Sequence, residues 1–273
     1  MGLYVTFQSL ILILIRYLSV DLTLVTLLFF RNLIAASVVI PLLTKNKLTL
    51  FKTQHLGLHG VRALAALIGG YATFYAAATI PLTLVVAITF TAPIFASLFS
   101  FMSLNERVTR QKLLSYALGL IGMLVTLRPN LESDSIGILA AVLASIMTAI
   151  AFVSVKKLSE LDPPYTVIAF PFTLLFPISA FIAISDWSWP SLEQLPLILL
   201  MGLSLIISQF CMVKAFSYAD ASRLLPVDFT KLIFTSFAGV FLFEDKIDIW
   251  VITGGVIILI SAAPLLSSGK TNN

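Results

Sequence analysis

The sequence predicts an all-α membrane protein, a bundle of about ten transmembrane helices. Three observations carry this. Near-continuous apolar runs follow one another from Leu3 to Leu266 with almost no charge inside them. Of the 273 residues, 59% are hydrophobic and 11% charged, with a mean hydropathy of +1.04, whereas water-soluble domains carry roughly 25% charged residues. Basic and acidic residues also alternate from one loop to the next, as in a chain threaded repeatedly through a bilayer. A span needs about 20 apolar residues, and runs of that kind fill most of the chain, so no sizeable soluble domain is expected.

Polar punctuation divides the runs. The first helix, Leu3–Leu18, closes at Ser19 ahead of Asp21. It is short for a bilayer, which implies either a start codon missed upstream or a thin, tilted helix. Thr23–Leu43 runs into the basic loop that holds Lys45, Lys47 and Lys52. Gly57–Ile80 is separated by Pro81 from Leu82–Ser103. Lys112–Leu127 starts after Arg107 and Arg110 and stops at Arg128-Pro129. Ile136–Val155 follows Glu132 and Asp134 and ends before Lys156 and Lys157. Pro164–Ile184 opens on proline and ends at Asp186, Trp187 and Trp189, where indoles anchor at a membrane interface. Leu195–Tyr218, Ser222–Phe243 and Ile249–Ser267 complete the set. The short connections force antiparallel neighbours.

Orientation follows from the charges. With the N-terminus in the cytoplasm, the inward loops hold Lys45, Lys47, Lys52, Arg107, Arg110, Lys112, Lys156, Lys157 and Arg223, with Lys270 in the tail. The outward loops hold Asp21, Glu132, Asp134, Asp186, Glu193, Glu244, Asp245 and Asp248, against only Arg16, Arg128 and Lys246. Both termini are thus expected on the cytoplasmic side of a bacterial-type inner membrane.

Composition removes several function classes. The single Cys211 leaves no intrachain disulfide, four-cysteine zinc site or iron–sulfur cluster. His55 and His59 are four apart, but the run His-Leu-Gly-Leu-His lacks a zinc-protease glutamate and reads as part of a basic loop. Met1-Gly2-Leu3-Tyr4-Val5-Thr6 fits a myristoylation pattern by chance, since it leads straight into an apolar run. No basic segment precedes that run and no small-residue cleavage site follows it, so it is read as an uncleaved span and not as a signal peptide. With no Gly-x-x-x-x-Gly-Lys-Ser/Thr run, any work done across the membrane must draw on a gradient or on exchange. No cofactor, metal or nucleic acid is expected; the net charge of +4 sits at helix ends.

The chain repeats itself weakly. Ser103-Leu104-Asn105-Glu106-Arg107-Val108 precedes a helix bearing Gly119 and Gly122, and Leu242-Phe243-Glu244-Asp245-Lys246-Ile247 precedes one bearing Gly254 and Gly255. Five spans per half is an odd number, so the second half must insert upside down relative to the first, an arrangement common in secondary transporters. The expected repeats are residues 1–129 and 136–268.

Ordered motifs then give a resemblance over nearly the whole chain. The first half carries Phe29-Phe30-Arg31-Asn32, Val61-Arg62-Ala63, Phe74-Tyr75-Ala76, Pro81-Leu82, Phe90-Thr91-Ala92-Pro93-Ile94-Phe95, Leu104-Asn105-Glu106-Arg107 and a closing Arg128-Pro129. The second carries Ala219-Asp220-Ala221-Ser222, Pro226-Val227-Asp228-Phe229-Thr230-Lys231-Leu232 and Phe243-Glu244-Asp245. Together they resemble the drug/metabolite transporter superfamily and, within it, the EamA family. Two departures stand out. Asn105 and Glu244 hold places where the family usually has glycine, which makes Asp245 the family acid of the second half. The usual Tyr-Thr-Arg is Phe229-Thr230-Lys231, which removes a hydroxyl and exchanges a guanidinium fork for a point charge.

Ionisable groups inside spans are costly and usually face an interior. Arg31, Asp228 and Lys231 lie deepest, roughly 6–14 Å from the nearer helix end at 1.5 Å per residue. Asp228 and Lys231 share a helix face, so they either pair with each other or serve a cargo or a proton. Arg31 either binds an anionic group or satisfies backbone carbonyls. Arg16, Arg62 and Lys214 are expected to snorkel to the headgroups, and Glu106 and Asp245 to cap or staple helix ends. Phe74, Tyr75, Phe90 and Phe229 offer aromatic walls for a flat cargo. Pro93 and Pro226 mark where helix hydrogen bonds are lost and a path could open. Gly69-Gly70, Gly119 with Gly122, and Gly254-Gly255 read as close helix contacts.

The resemblance implies a secondary transporter of a small organic metabolite; members of this subgroup include amino-acid exporters and uptake systems for S-adenosylmethionine or riboflavin. A deep acid beside a base, with Arg31, leans toward S-adenosylmethionine or an amino-acid-like compound, with riboflavin or a nucleotide sugar as the alternative cargo. The rival classes are an intramembrane enzyme, whose nucleophile–base or paired-carboxylate constellation is missing because Asp228 is the one deep carboxylate and no histidine reads as embedded, and a non-transporting sensor or scaffold. The expected partners are the metabolite and membrane lipids, with a homodimer left open. A hydrophilic cavity is expected between the halves, lined by the first four spans of each, with the fifth and tenth at the edge.

Overall fold

The computed structural model describes residues 2–45, 53–92, 94–96, 98–99, 114, 117–119, 121–122, 124–125, 134–218, 231–245 and 249–267, and these contain no strand. The helices defined over them are α1 (Gly2–Leu18), α2 (Leu24–Lys45), α3 (Leu56–Thr79), α4 (Leu82–Thr89), α5 (Ser135–Leu161), α6 (Pro164–Ala183), α7 (Leu195–Tyr218), α8 (Lys231–Phe243) and α9 (Ile249–Ser267). Leu56–Thr79, Ser135–Leu161, Pro164–Ala183 and Leu195–Ala215 are long and apolar enough to cross a membrane, and shorter apolar helices accompany them. Most of the expected fifth span, and the start of the expected ninth, lie outside the described residues.

Proline sets two of the joints. The residue before a proline is driven out of the helical region, so α3 stops at Ile80 (φ −125°, ψ 162°) ahead of Pro81, and α5 stops at Asp162 (φ −126°, ψ 151°) ahead of Pro163. The lysines at 156 and 157 do not end α5, which therefore runs past the expected limit at Val155 to Leu161. Its other end is capped by Asp134, whose carboxylate accepts the Ile136 N–H at 3.0 Å. The fourth span, expected to run unbroken to Ser103, leaves α geometry at Phe90–Thr91, just ahead of Pro93 in the sequence.

The core lies between the two halves. The closest pairings are α3 with α5 and its counterpart α1 with α7, then α2 with α6; α2 also meets α7, as α3 meets α6. Exchanging α1–α4 for α5–α8 in order leaves these pairings unchanged. Direction reverses: the last turn of α1 reaches the Ile80 carbonyl through Arg16, and the first turn of α5 meets Ile80 through Gly137. That is the signature of two inverted repeats. Glycines permit the approach. A Cβ on Gly69 would lie 2.8 Å from Met147 Cβ, and one on Gly202 would lie 2.5 Å from Ile34 Cβ. Gly119 likewise packs against Ile94 and Ser261.

The outer surface is apolar. Phe181, Phe241 and Leu139 stand 79%, 69% and 67% exposed, as lipid-facing side chains do. Several buried hydroxyls are satisfied within their own helices, as Ser9 is on the Val5 carbonyl (2.9 Å) and Ser154 on that of Ile150 (2.8 Å).

Candidate functional site: a polar cavity between the halves

A cavity of about 180 Å³ lies at the centre of the bundle, walled by α1, α2 and α3 from one half and α5, α6 and α7 from the other. It has room for on the order of a dozen waters. Among the described residues, α4, α8 and α9 contribute nothing to its wall, and α9 packs mainly on α4.

Its polar groups come from adjacent helices. Arg31 on α2 is buried, with its guanidinium carbon 4.7 Å from the centroid of the Phe74 ring on α3. A cation over an aromatic face is held without neutralising its charge. Gly70, one helical turn before Phe74, makes the space: a Cβ there would sit 3.1 Å from Arg31 Nη2. No hydrogen bond to the backbone engages Arg31 among the described residues, and its Nε has no partner. Asn32, beside it in sequence, is fully buried and lines the same cavity, with neither amide atom hydrogen-bonded. Gln8 on α1 is tethered to Ser208 Oγ at 3.1 Å; Thr73, Thr148 and Gln209 add further polar atoms to the wall.

Arg62 corrects an expectation. It does not snorkel; it is buried on α3, lines the cavity, and its Nη1 donates to the Val167 carbonyl on α6. The reason is Pro171. In an α-helix the Val167 carbonyl would accept from the N–H four residues on, and that residue is a proline with none. In a membrane interior a freed carbonyl needs a donor, and Arg62 supplies it.

Arg16 is also corrected. It makes two hydrogen bonds to Asp245, Nη1 to Oδ2 at 2.8 Å and Nη2 to Oδ1 at 2.7 Å. Asp245 also lies 3.4 Å from the Leu82 N–H, and Arg16 3.5 Å from the Ile80 carbonyl. The staple therefore clasps α1, the Ile80-Pro81 joint and the end of α8. At the opposite end of the bundle, His59 sits in the first turn of α3 and not in a loop. It is fully buried, with Nε2 2.9 Å from Asp162 Oδ2. Thr53 Oγ1 donates to that same oxygen at 2.8 Å. Each end thus carries a polar latch between the halves, placed on an X-Pro joint.

The chain matches the EamA-like transporter family over residues 2–128 and again over 135–267. It belongs to that family. It is 30% identical to the riboflavin transporter of Brucella anthropi over 81% of each chain. It is 31% identical to the riboflavin transporter of Vibrio cholerae, over 84% of this chain and 78% of that one. It is 26% identical to the S-adenosylmethionine uptake transporter of Rickettsia bellii, over 93% of this chain and 88% of that one. A crystal structure 18% identical to it superposes with a TM-score of 0.64, covering 98% of this chain and 99% of the other, and shares the fold. The protein is accordingly an integral membrane transporter and not an enzyme.

Within this EamA-like transporter, Arg31 and Phe74 meet on the cavity wall. Tyr75, half-buried on the next helical position, and Phe90, buried in the core beside α4, lie off that wall. Lys231 is half-buried at the start of α8, with Nζ 5.4 Å from the centroid of Tyr4, and Tyr4 in turn lines the cavity. Pro93, Asp228 and Phe229 lie outside the described residues, as do Glu106 and Pro226. Sequence reasoning passed over Asn32, Gln8 and Gln209. Asn32 was legible as an amide next to a buried arginine in an apolar run; the two glutamines were not, because helix phase alone does not say which face meets the other half.

Proposed function

We propose that this chain is a secondary active transporter of a small organic metabolite, residing in a bacterial inner membrane with both termini cytoplasmic and built from repeats at residues 1–129 and 136–268. One observation carries the reading. The cavity is lined by helices of both halves and presents a buried guanidinium at Arg31 with no counter-ion among the described residues. A charge held at depth with no counter-ion among the described residues is costly unless a cargo engages it. Two guanidiniums and no carboxylate line the cavity among those residues, which favours a cargo that turns an anionic or acceptor-rich face to Arg31. The carboxylate of S-adenosylmethionine and the ring carbonyls of riboflavin both offer one. Arg31 and Phe74 are the proposed contacts on this wall, and Asp228 and Lys231 are further proposed contacts for the cargo or a proton.

The two latches suit alternating access. Arg16–Asp245 closes one end and His59–Asp162 the other, so rocking one half on the other can break one while keeping the other, exposing the same site to each side in turn. The test is uptake of radiolabelled riboflavin and S-adenosylmethionine into proteoliposomes, against protein-free vesicles, with and without an imposed proton gradient. Saturable, protein-dependent accumulation of one of them is expected. Uptake of neither above the empty-vesicle rate contradicts the proposal.

A further inference from the structure

We infer that Asn32 is the residue that selects the cargo, by hydrogen-bonding a ring edge on which a donor and an acceptor stand side by side. This rests on the transport reading above and goes beyond it by naming the chemistry recognised. Asn32 is 0% exposed, lies on the wall of the central cavity, and has neither Nδ2 nor Oδ1 hydrogen-bonded. Buried polar side chains nearly always find partners, and no protein group among the described residues supplies one to either amide atom of Asn32. Most buried serines and threonines among the described residues obey that rule, as Thr73 Oγ1 does on the Gly69 carbonyl at 2.7 Å; Ser204 Oγ is an exception. Asn32 breaks it with both atoms at once.

A carboxamide offers one donor face and one acceptor face in the same plane. A carboxylate satisfies only the donor, leaving Oδ1 against another acceptor, so a carboxylate belongs to Arg31 and not to Asn32. An ammonium satisfies only the acceptor. The group that satisfies both is an amide-like or amidine-like edge of a heteroaromatic ring, read in the way asparagine reads adenine. The surroundings fit a ring. Tyr4, Phe74, Phe152 and Phe172 share the wall, and Arg31 brings a guanidinium plane to it. At about 180 Å³ the cavity is below the range of roughly 300–1,000 Å³ that takes a drug-sized ligand whole. In this conformation it admits one ring system, with the remainder of a larger cargo reaching toward an end. Two sources carry such an edge, the imide of a flavin and the amino–ring-nitrogen edge of adenine.

The experiment is competition for uptake in proteoliposomes holding the full chain. The competitors are riboflavin against 3-methylriboflavin, and adenosine against N6,N6-dimethyladenosine, each methylation removing the ring-edge donor. The labelled cargo is whichever of riboflavin or S-adenosylmethionine the wild type takes up. Wild-type protein is expected to prefer the unmethylated member of the pair that matches its cargo by about 10-fold or more. Asn32→Leu and Asn32→Asp are expected to lose that discrimination while raising the half-saturating concentration by a similar factor, at folded yields measured beside the wild type. The wild-type comparison needs no variant, so a misfolded Asn32→Leu leaves the test intact. Equal inhibition by both members of the matching pair overturns the assignment, and so does discrimination that survives Asn32→Asp. Failure of the wild type to take up either labelled compound overturns the transport reading, and the assignment with it.

Discussion

Arg62 donates to the Val167 carbonyl, the one carbonyl of α6 that Pro171 leaves without its helical donor beside the cavity. A helix defect in one half is repaired by a charged side chain from the other. The repair holds α3 and α6 in register across the central cavity, and it gives a buried arginine a structural duty that Arg31 lacks.

Arg62→Leu strands that carbonyl and should destabilise the protein by about 1–2 kcal/mol, the range for a hydrogen bond to a charged donor in a bundle. Pro171→Ala supplies the missing N–H. The double variant Arg62→Leu/Pro171→Ala should therefore be more stable than Arg62→Leu alone, as read by thermal unfolding in detergent. Simple addition of the two single effects would show that Arg62 and Pro171 are uncoupled.

The Arg16–Asp245 pair is bidentate, with the two side chains 19% and 6% exposed. Asp245→Asn should cost roughly 2–3 kcal/mol, between the limits for exposed and for fully buried pairs. The exchange Arg16→Asp/Asp245→Arg should recover part of the loss. A latch that only stabilises would lower yield and leave the per-molecule uptake rate unchanged; a latch that opens during the cycle changes that rate, measured on equal amounts of folded protein.

Glu244 adopts φ +54°, where a side chain is disfavoured and glycine is not. This tight turn lets the Asp245 N–H reach the Gly239 carbonyl at 2.9 Å and aims its carboxylate at Arg16. It also explains why a glycine suits the position before the acid. Glu244→Gly should stabilise the protein by about 0.5–1 kcal/mol, with uptake retained. A lower melting temperature for Glu244→Gly would show that the Glu244 side chain contributes more than its backbone costs.

Gly70→Ala tests the positioning of Arg31. The added Cβ would sit 3.1 Å from Arg31 Nη2, the flexible end of a long side chain, so the guanidinium can shift at small cost in stability. Uptake should fall several-fold while the melting temperature holds. Gly202→Ala is the control: its Cβ would lie 2.5 Å from Ile34 Cβ, next to the backbone, and overpacking of that kind costs about 1–3 kcal/mol. Equal losses of stability in both would make Gly70 a packing residue only.

Much of the bundle was legible because the spans are long apolar runs and proline marks two of the joints between them. Leu195–Tyr218 and Ile249–Ser267 fall where expected to the residue. The site was half legible. Depth in the membrane singled out Arg31, and a family motif singled out Phe74, but neither says that the two stack. The arginines at 16 and 62 were misjudged for one physical reason: distance from a helix end predicts snorkelling only when the side chain faces lipid. Here Arg16 faces Asp245 and Arg62 faces Val167, contacts made across the interface of the halves and invisible to any single helix. Pro171 was the missed signal, since a proline inside a membrane helix always leaves a carbonyl in need of a donor.

Whether cargo occupies the cavity can be measured directly. Cys211 is the one native thiol, so Cys211→Ser combined with Thr148→Cys places a single thiol on the cavity wall. Its alkylation rate by a membrane-permeant maleimide is followed in proteoliposomes as riboflavin or S-adenosylmethionine is titrated in. Slowing that saturates at the concentration giving half-maximal uptake is the predicted result. An alkylation rate unchanged at cargo concentrations that saturate uptake would contradict the placement of the transport site in this cavity.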